Sequence, residues 1–387
     1  MNKLKANRIS VLVLRAAVWT CVFPFVASGC RNEKAWTAAE GDTVELRYAS
    51  RISMVEHGAY TEVRLVDPWH EGRTLQRYLL VPRADSASVG QLPDGTVVYT
   101  PVERSVVFSS PHSYLLYQIG AENALAGVCD AGYIVMADLR KRVQDGSVAD
   151  CGNSMSPSQE KLMEIHPQAL LVSPYENGDG YARLARMGVP IVLCADYMET
   201  SALGRAEWMK FYGRLFGRRQ QADSLFAVVE NDYNRLKTMA GRLKSRPSIL
   251  TERLTGSVWY CPGGQSSKGI LLADAGSCYP FADDTSQGSL ALSAETVMDK
   301  AADIDVWAFV KTGNHPVSRK ELLGEYHGYA QLKAFRAGNV YTCNTLEKPF
   351  FEEISFRPDY LLREYVMLLH PELKLPGELR YFSRMEY

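Results

Sequence analysis

The sequence predicts an α/β protein: two lobes with mostly parallel sheets, joined by a single long α-helix and preceded by a β-rich lead-in. Three observations carry this. Short apolar runs alternate with helical stretches on both sides of the chain's middle, which is the pattern of a parallel sheet covered on both faces. Between them lies a helical region, 204–243, where Ala222, Leu225, Phe226, Val229, Tyr233, Leu236, Met239 and Leu243 recur at three-to-four spacing and give one apolar face. The two halves also share a pattern, Ser-x-Glu-x-apolar-Met-acid, directly before a buried strand. It runs from Ser158 to Glu164 ahead of Ala169, and from Ser293 to Asp299 ahead of Val306.

Composition narrows the function. The 387 residues are 46% hydrophobic and 22% charged, the make-up of an ordinary folded protein and not of a disordered or fibrous one. With 43 Lys plus Arg against 44 Asp plus Glu, there is no global field to hold polyanions, so no nucleic-acid partner is expected. The length favours two domains over one.

The N-terminus reads as an export signal, 1–29. Lys3, Lys5 and Arg8 precede an apolar stretch, 16–27, that is too short to span a bilayer, and Val26-Ala27-Ser28-Gly29-Cys30 then turns polar at Arg31. This resembles the lipobox of bacterial lipoproteins. The resemblance implies cleavage before Cys30, lipidation of its thiol, and a protein anchored in the bacterial cell envelope, facing the periplasm, with membrane contact through the lipid alone. Of the other cysteines, Cys129, Cys151, Cys194, Cys261, Cys278 and Cys343 lie in the body of the chain. They show no zinc-type spacing, and export permits disulfides without fixing their pairing.

In order along the chain, 30–100 is the anchor and lead-in, with strands at 60–66 and 77–81 and turns at Pro68, Pro82 and 92–95. The first lobe, 101–204, opens on an apolar strand, 104–108, that runs into Ser109-Ser110-Pro111-His112, a helix start with Pro in its first turn. Further strands follow at 124–128, 169–173 and 190–194, with a helix at 181–187. The connecting region, 205–245, has a break at Gly217, and a helix over 218–243 would extend ~39 Å. Arg246-Pro247 ends it, and the second lobe, 246–387, restarts the pattern with strands at 248–250, 257–260, 306–310 and 339–342.

An ordered series of segments carries a family resemblance. Glu103 to Ser110, Leu125-Ala126-Gly127-Val128, the 148–160 loop and helix, His166-Pro167-Gln168 with the strand after it, and Met187 to Val192 are similar to the N-lobe of binding proteins for ABC importers of iron chelates and cobalamin. Ala273 to Ser277, Leu292 to Glu295, Ala337 to Tyr341 and the closing 368–373 continue the likeness through the C-lobe. The lead-in departs from the compact core of that family. The resemblance implies two Rossmann-like lobes with the ligand held between them and no catalysis by this chain. The implied partners are an ABC permease with its ATPase and a small-molecule metal chelate. It further implies that Glu160 and Glu295, at matching places in the halves, dock on the permease.

Loops that follow strands form the cleft in such a fold. Candidate ligand-binding residues are therefore Ser110 and His112, Tyr133, Asn153 and Ser154, and Tyr175 in the first lobe. In the second they are Trp259 and Tyr260, Ser289, Asn344, and Phe350, Phe351 and Arg357. Aromatic faces offer area at low entropic cost, and an Arg fork suits carboxylate or catecholate oxygens. The alternative reading makes Phe350, Phe351 and Phe356 core plugs and pairs Arg357 with Glu353 or Asp359. Seven His in no clustered loop argue against a bare metal ion as ligand, and no cofactor of the protein's own is expected. The chain lacks G-x-S-x-G, P-loop and H-E-x-x-H motifs. A hydrolase remains the alternative from another class, with His112 beside Ser109 or Ser110 as its local candidate. Among ligands, Arg253, Lys268, Lys348 and Arg357 suit an anionic iron chelate, a ferric siderophore or haem, and the aromatics equally suit a corrinoid. The Trp positions of cobalamin receptors are replaced near Asn153 and Ser289.

Overall fold

Period-two alternation builds the lead-in. In the computed structural model, which describes residues 41–87, 89–176 and 184–386, strands β1 (Asp42–Thr43), β2 (Ile52–Glu56), β3 (Thr61–Val66), β4 (Thr74–Pro82) and β5 (Thr96–Thr100) form one sheet in that order. All pairs are antiparallel except β4 with β5. Alternate residues Ile52, Met54, Val63, Leu65, Tyr78, Leu80 and Val98 are buried and share one apolar core with Phe211 and Tyr212. Two buried carboxylates fasten the segment between β1 and β2. Glu207 accepts the backbone N–H of Arg47, Tyr48 and Ala49 at 2.8–3.0 Å, and Glu199 accepts those of Ser50 and Arg51 at 2.8–3.1 Å. Cys30, expected as the anchor, and the start of the helix expected from 181 lie outside the described residues.

The first lobe carries β6 (Ser105–Val107), α1 (Ser110–Gln118), β7 (Leu125–Val128), α2 (Ala137–Gln144), β8 (Ala149–Asp150), the short pair β9 (Gly152–Asn153) and β10 (Ser156–Pro157), α3 (Gln159–Ile165), β11 (Ala169–Val172) and β12 (Ile191–Leu193). Its main sheet runs β12-β11-β6-β7-β8, and every pair is parallel. Both faces of such a sheet are covered, so β6 and β11 are buried at every residue. The chain leaves β6 toward β7 and returns to β11 on the other side. That makes the β6/β11 edge a topological switch point, where the loops after the strands diverge and leave a crevice.

The connector comprises α4 (Ala202–Glu207), α5 (Met209–Leu215) and α6 (Arg219–Gly241). Gly217 breaks it in the left-handed region, φ +65°, which costs a glycine little. Helix α6 buries Ala222, Phe226, Val229, Tyr233, Leu236 and Ala240, the expected stripe, and its 23 residues span ~35 Å. It stops at Gly241, short of the predicted end.

The second lobe contains β13 (Ile249–Thr251), β14 (Leu254–Thr255), β15 (Val258–Pro262), α7 (Ser267–Asp274), β16 (Ser289–Leu292), α8 (Ala294–Ala301), β17 (Val306–Lys311), α9 (Arg319–Glu325), α10 (Lys333–Ala337), β18 (Val340–Asn344), α11 (Phe350–Glu353), α12 (Pro358–Leu369) and β19 (Ser383–Arg384). Strands β13-β17-β18 are parallel with β19 antiparallel at the edge, and β14-β15-β16 form a separate antiparallel sheet. From Gly41 onward the chain is one compact unit, so lead-in, connector and lobes are parts of a single body. No helix among the described residues is long and apolar enough to cross a membrane.

Candidate functional site

The crevice at the switch point is the site. Its floor is the start of α1: Ser109 takes an extended conformation ahead of the helix, and its hydroxyl does not cap α1. Instead Ser109 Oγ lies 2.5 Å from His112 Nδ1. The other ring nitrogen of His112 is 2.7 Å from Asp196 Oδ1, the Tyr212 hydroxyl donates to the same oxygen at 3.0 Å, and Arg205 Nε donates to Asp196 Oδ2 at 3.1 Å. Burial works against charge on His112, yet the neighbouring Cys194 sulfur and the Asp196 carboxylate outweigh it and push the imidazole up to about 10. Burial likewise opposes ionisation of Asp196, but His112, Arg205 and Tyr212 together bring it down to about 2. At neutral pH the floor therefore sets the His112 imidazolium and the Arg205 guanidinium against the Asp196 carboxylate, and Asp130 stands in the wall of the same crevice.

Ser109, His112 and Asp196 stand in line, but the raised imidazole of His112 disfavours the neutral ring that general base catalysis needs.

Above the floor a cavity of about 480 Å³ is lined by Ser110, His112, Tyr133, Ser154 and Tyr175, as expected from the sequence, and also by Asp130, Met155, Tyr197 and Arg205. Tyr133 and Met155 are each 67% exposed, Tyr175 37% and Tyr197 38%. Large apolar side chains grouped round a cavity and left in water mark a place where a ligand can cover them. A second cavity, of about 300 Å³, lies on the other lobe between Leu271, Val310, Phe350, Phe351, Ile354 and Leu361, with Glu252 and Lys268 ion-paired in its wall. Arg205 lines both cavities. Its guanidinium is tied among the described residues only through Nε, to Asp196.

Several predicted residues stand elsewhere. Trp259 is fully buried, packed against Trp307 and Tyr329 with ring centroids 6.3 and 5.6 Å away; it is core, because β15 turns that face inward. Arg357 is buried, paired with Asp359 at 2.6 and 3.0 Å and stacked 3.7 Å over Tyr360, so the pairing alternative holds and its fork is spent. Phe356 is core too, edge-on to His112 and Tyr212. Phe350 is buried but lines the second cavity, and Phe351 lines it while 52% exposed. Asn153 turns back to accept the N–H of Met155, and the Asn344 amide is taken by Gly313 and Glu347. Tyr260 and Ser289 are exposed on the β15-β16 sheet, away from either cavity. Arg253 pairs with Glu325. Among the described residues no group of three or more His, Cys, Asp or Glu could hold a metal ion, and the six described cysteines are free thiols.

Arg205, Asp196 and Tyr197 were not predicted. The rule that selects loops after strands extends to the 195–199 loop behind β12 and would have found Asp196 and Tyr197; Arg205 sits inside a helix and carries no such signal.

Glu160 and Glu295 occupy matching places. Ser158 caps α3 by accepting from Lys161 N–H, and Ser293 caps α8 by accepting from Thr296 N–H. Both acids follow in the first turn, exposed to solvent.

Two lobes joined by one long helix, with a crevice at a switch point, have the architecture of a solute-binding protein. The sequence profile of the periplasmic binding protein family matches residues 106–345, more than half of the chain, and the protein belongs to that family, whose members bind and do not catalyse. Two uncharacterised lipoproteins of Methanocaldococcus jannaschii are similar over nearly the full length. One is 27% identical, covering 99% of this chain and 97% of its own; the other is 21% identical, covering 92% and 90%. Among solved structures, a periplasmic haem-binding protein from Pseudomonas aeruginosa superposes with a TM-score of 0.60 at 16% identity, covering 74% of this chain and 99% of that one. An ABC-type Fe3+-hydroxamate transport protein from Saccharomonospora viridis gives 0.55 at 19%, covering 70% and 94%.

Proposed function

We propose that this protein is a lipid-anchored receptor that captures an anionic iron chelate, a ferric siderophore or haem, and delivers it to an ABC importer in the cell envelope. The observation that carries this is Arg205, held by Asp196 at the junction of both cavities, below a ring of exposed Tyr and Met side chains. The Arg205 guanidinium favours a ligand with carboxylate, hydroxamate or catecholate oxygens, and the aromatic walls suit its apolar body. Family membership and the haem- and hydroxamate-binding structural neighbours support the same class. ATP hydrolysis belongs to the importer, and no cofactor is assigned to this chain.

The test is to purify the chain from residue 31 and titrate its tryptophan fluorescence with haemin, a ferric hydroxamate, a ferric catecholate and cyanocobalamin. Saturable quenching by one iron chelate, weakened at least about tenfold in Arg205→Ala, ~1.4 kcal/mol, is the expected result. Saturation by cyanocobalamin alone would make the protein a corrinoid receptor, and silence toward all four would overturn the receptor reading.

A further inference from the structure

The geometry points to Glu352 as the positioning residue that holds the two lobes at their working separation beside the cleft. Helix α11 follows β18 of the second lobe, yet Glu352 Oε1 accepts the backbone N–H of Val135 at 2.7 Å and of Met136 at 3.3 Å, both in the first lobe. These residues lead directly into α2. The backbone donors at a helix start have no partner inside the helix, so a carboxylate of one lobe satisfies a helix entry of the other, at the end where the helix dipole favours an anion.

The placement is costly. Glu352 is 2% exposed, and its Oε2 is buried without a hydrogen-bond partner. Burial pushes its carboxyl up and Glu353 beside it adds to this, while the two N–H donors and Arg140 of α2 pull the other way. An apolar residue would fill the space without leaving an orphaned oxygen. What the glutamate adds is a directional contact between lobes.

That contact ties the two walls of the cleft. Phe351, exposed on the second-lobe cavity, is its neighbour in the chain, and Tyr133, exposed on the first-lobe cavity, lies two residues before Val135. Fixing Glu352 on Val135 therefore fixes the spacing of an aromatic pair that faces the ligand. The functional part of this inference rests on the cleft being the ligand site.

Hydrogen exchange on the full ligand-free chain tests the contact without any ligand. In Glu352→Ala, amides of a peptide covering 134–137 are expected to exchange at least about tenfold faster, while those in β11 and α6 keep their rates. Glu352→Gln retains an acceptor oxygen and is expected to restore most of the protection. The affinity for whichever chelate saturates the unmodified protein should fall at least about tenfold in Glu352→Ala and stay near its original value in Glu352→Gln. Unchanged exchange at 134–137, an equal rise in β11 and α6, or a Gln variant that behaves like Ala would each overturn the assignment. If none of the chelates binds, the receptor reading falls while the exchange result still decides the contact between lobes.

Discussion

His112 shows how a single side chain sets the charge of the cleft. Its imidazolium is stabilised by folding, with a folded value of about 10 above the ordinary ~6.5. The stability it contributes is therefore complete below pH ~6.5 and is lost as pH rises toward 10. Asp196 works in the opposite direction: its folded value of about 2 lies below the ordinary ~3.9, so its contribution is complete above pH ~4 and is lost as pH falls toward 2. Both are whole only between about pH 4 and 6.5. The thermal midpoint is expected to be highest in that window and to fall by about 5 °C or more by pH 9, and His112→Gln should flatten the alkaline limb. An unmodified protein with no alkaline fall would show that His112 is neutral in the fold. Sequence placed His112 at the cleft because it follows a strand. It could not show Asp196 as its partner, which is 84 residues away, and it offered Asp359, two positions along the chain, only as one of two alternative partners for Arg357. Of the residues that stand away from the cavities, Trp259 and Arg357 are large groups on the inward side of their elements, a choice settled by packing and not by local pattern.

At the scale of elements, what was legible followed from periodicity. The stripe of α6 can be read directly from its 3.6 period, and β4 from its apolar run, buried at each of Tyr78, Leu79, Leu80 and Val81. Strands β2 and β5 were not picked out: the turns at Pro82 and 92–95 do flank the connection to β5, but β5 pairs in parallel with β4, so no hairpin marks it as a strand. The means of fastening the lead-in was also illegible: no local pattern marks Glu199 and Glu207, which are buried clamps on the backbone of 47–51. Removing one leaves several buried N–H groups unpaired. Glu207→Ala should therefore cost about 3 kcal/mol or more, read as a lower urea midpoint, and should open 44–51 to limited proteolysis. A variant with the original midpoint and cleavage pattern would mean that the lead-in is held by its apolar face alone.

At the scale of the whole molecule, the Ser-x-Glu pattern shared by the two lobes bears on the proposed delivery to an importer. Both patterns form serine-capped helix starts, one in each lobe, with Glu160 and Glu295 exposed in the first turn. The Glu295 carboxyl is held below its usual range by its own backbone N–H and by Ser293, so it is charged at neutral pH. Solvent-exposed carboxylates contribute little to folding, because surface ion pairs are worth ~0–1 kcal/mol; replacing them should leave the fold and the distant cleft intact. Two separate acids, one on each lobe, suit a partner that reads both lobes at once, and bivalent attachment is lost far more steeply than either contact alone would predict. Glu160→Ala combined with Glu295→Ala is accordingly expected to abolish cellular uptake of the preferred chelate, with each single variant retaining partial uptake and with ligand affinity in solution unchanged within about twofold. Uptake by the double variant at the original rate would place the docking surface elsewhere, and loss of ligand affinity in step with uptake would move these residues from docking to the integrity of the lobes.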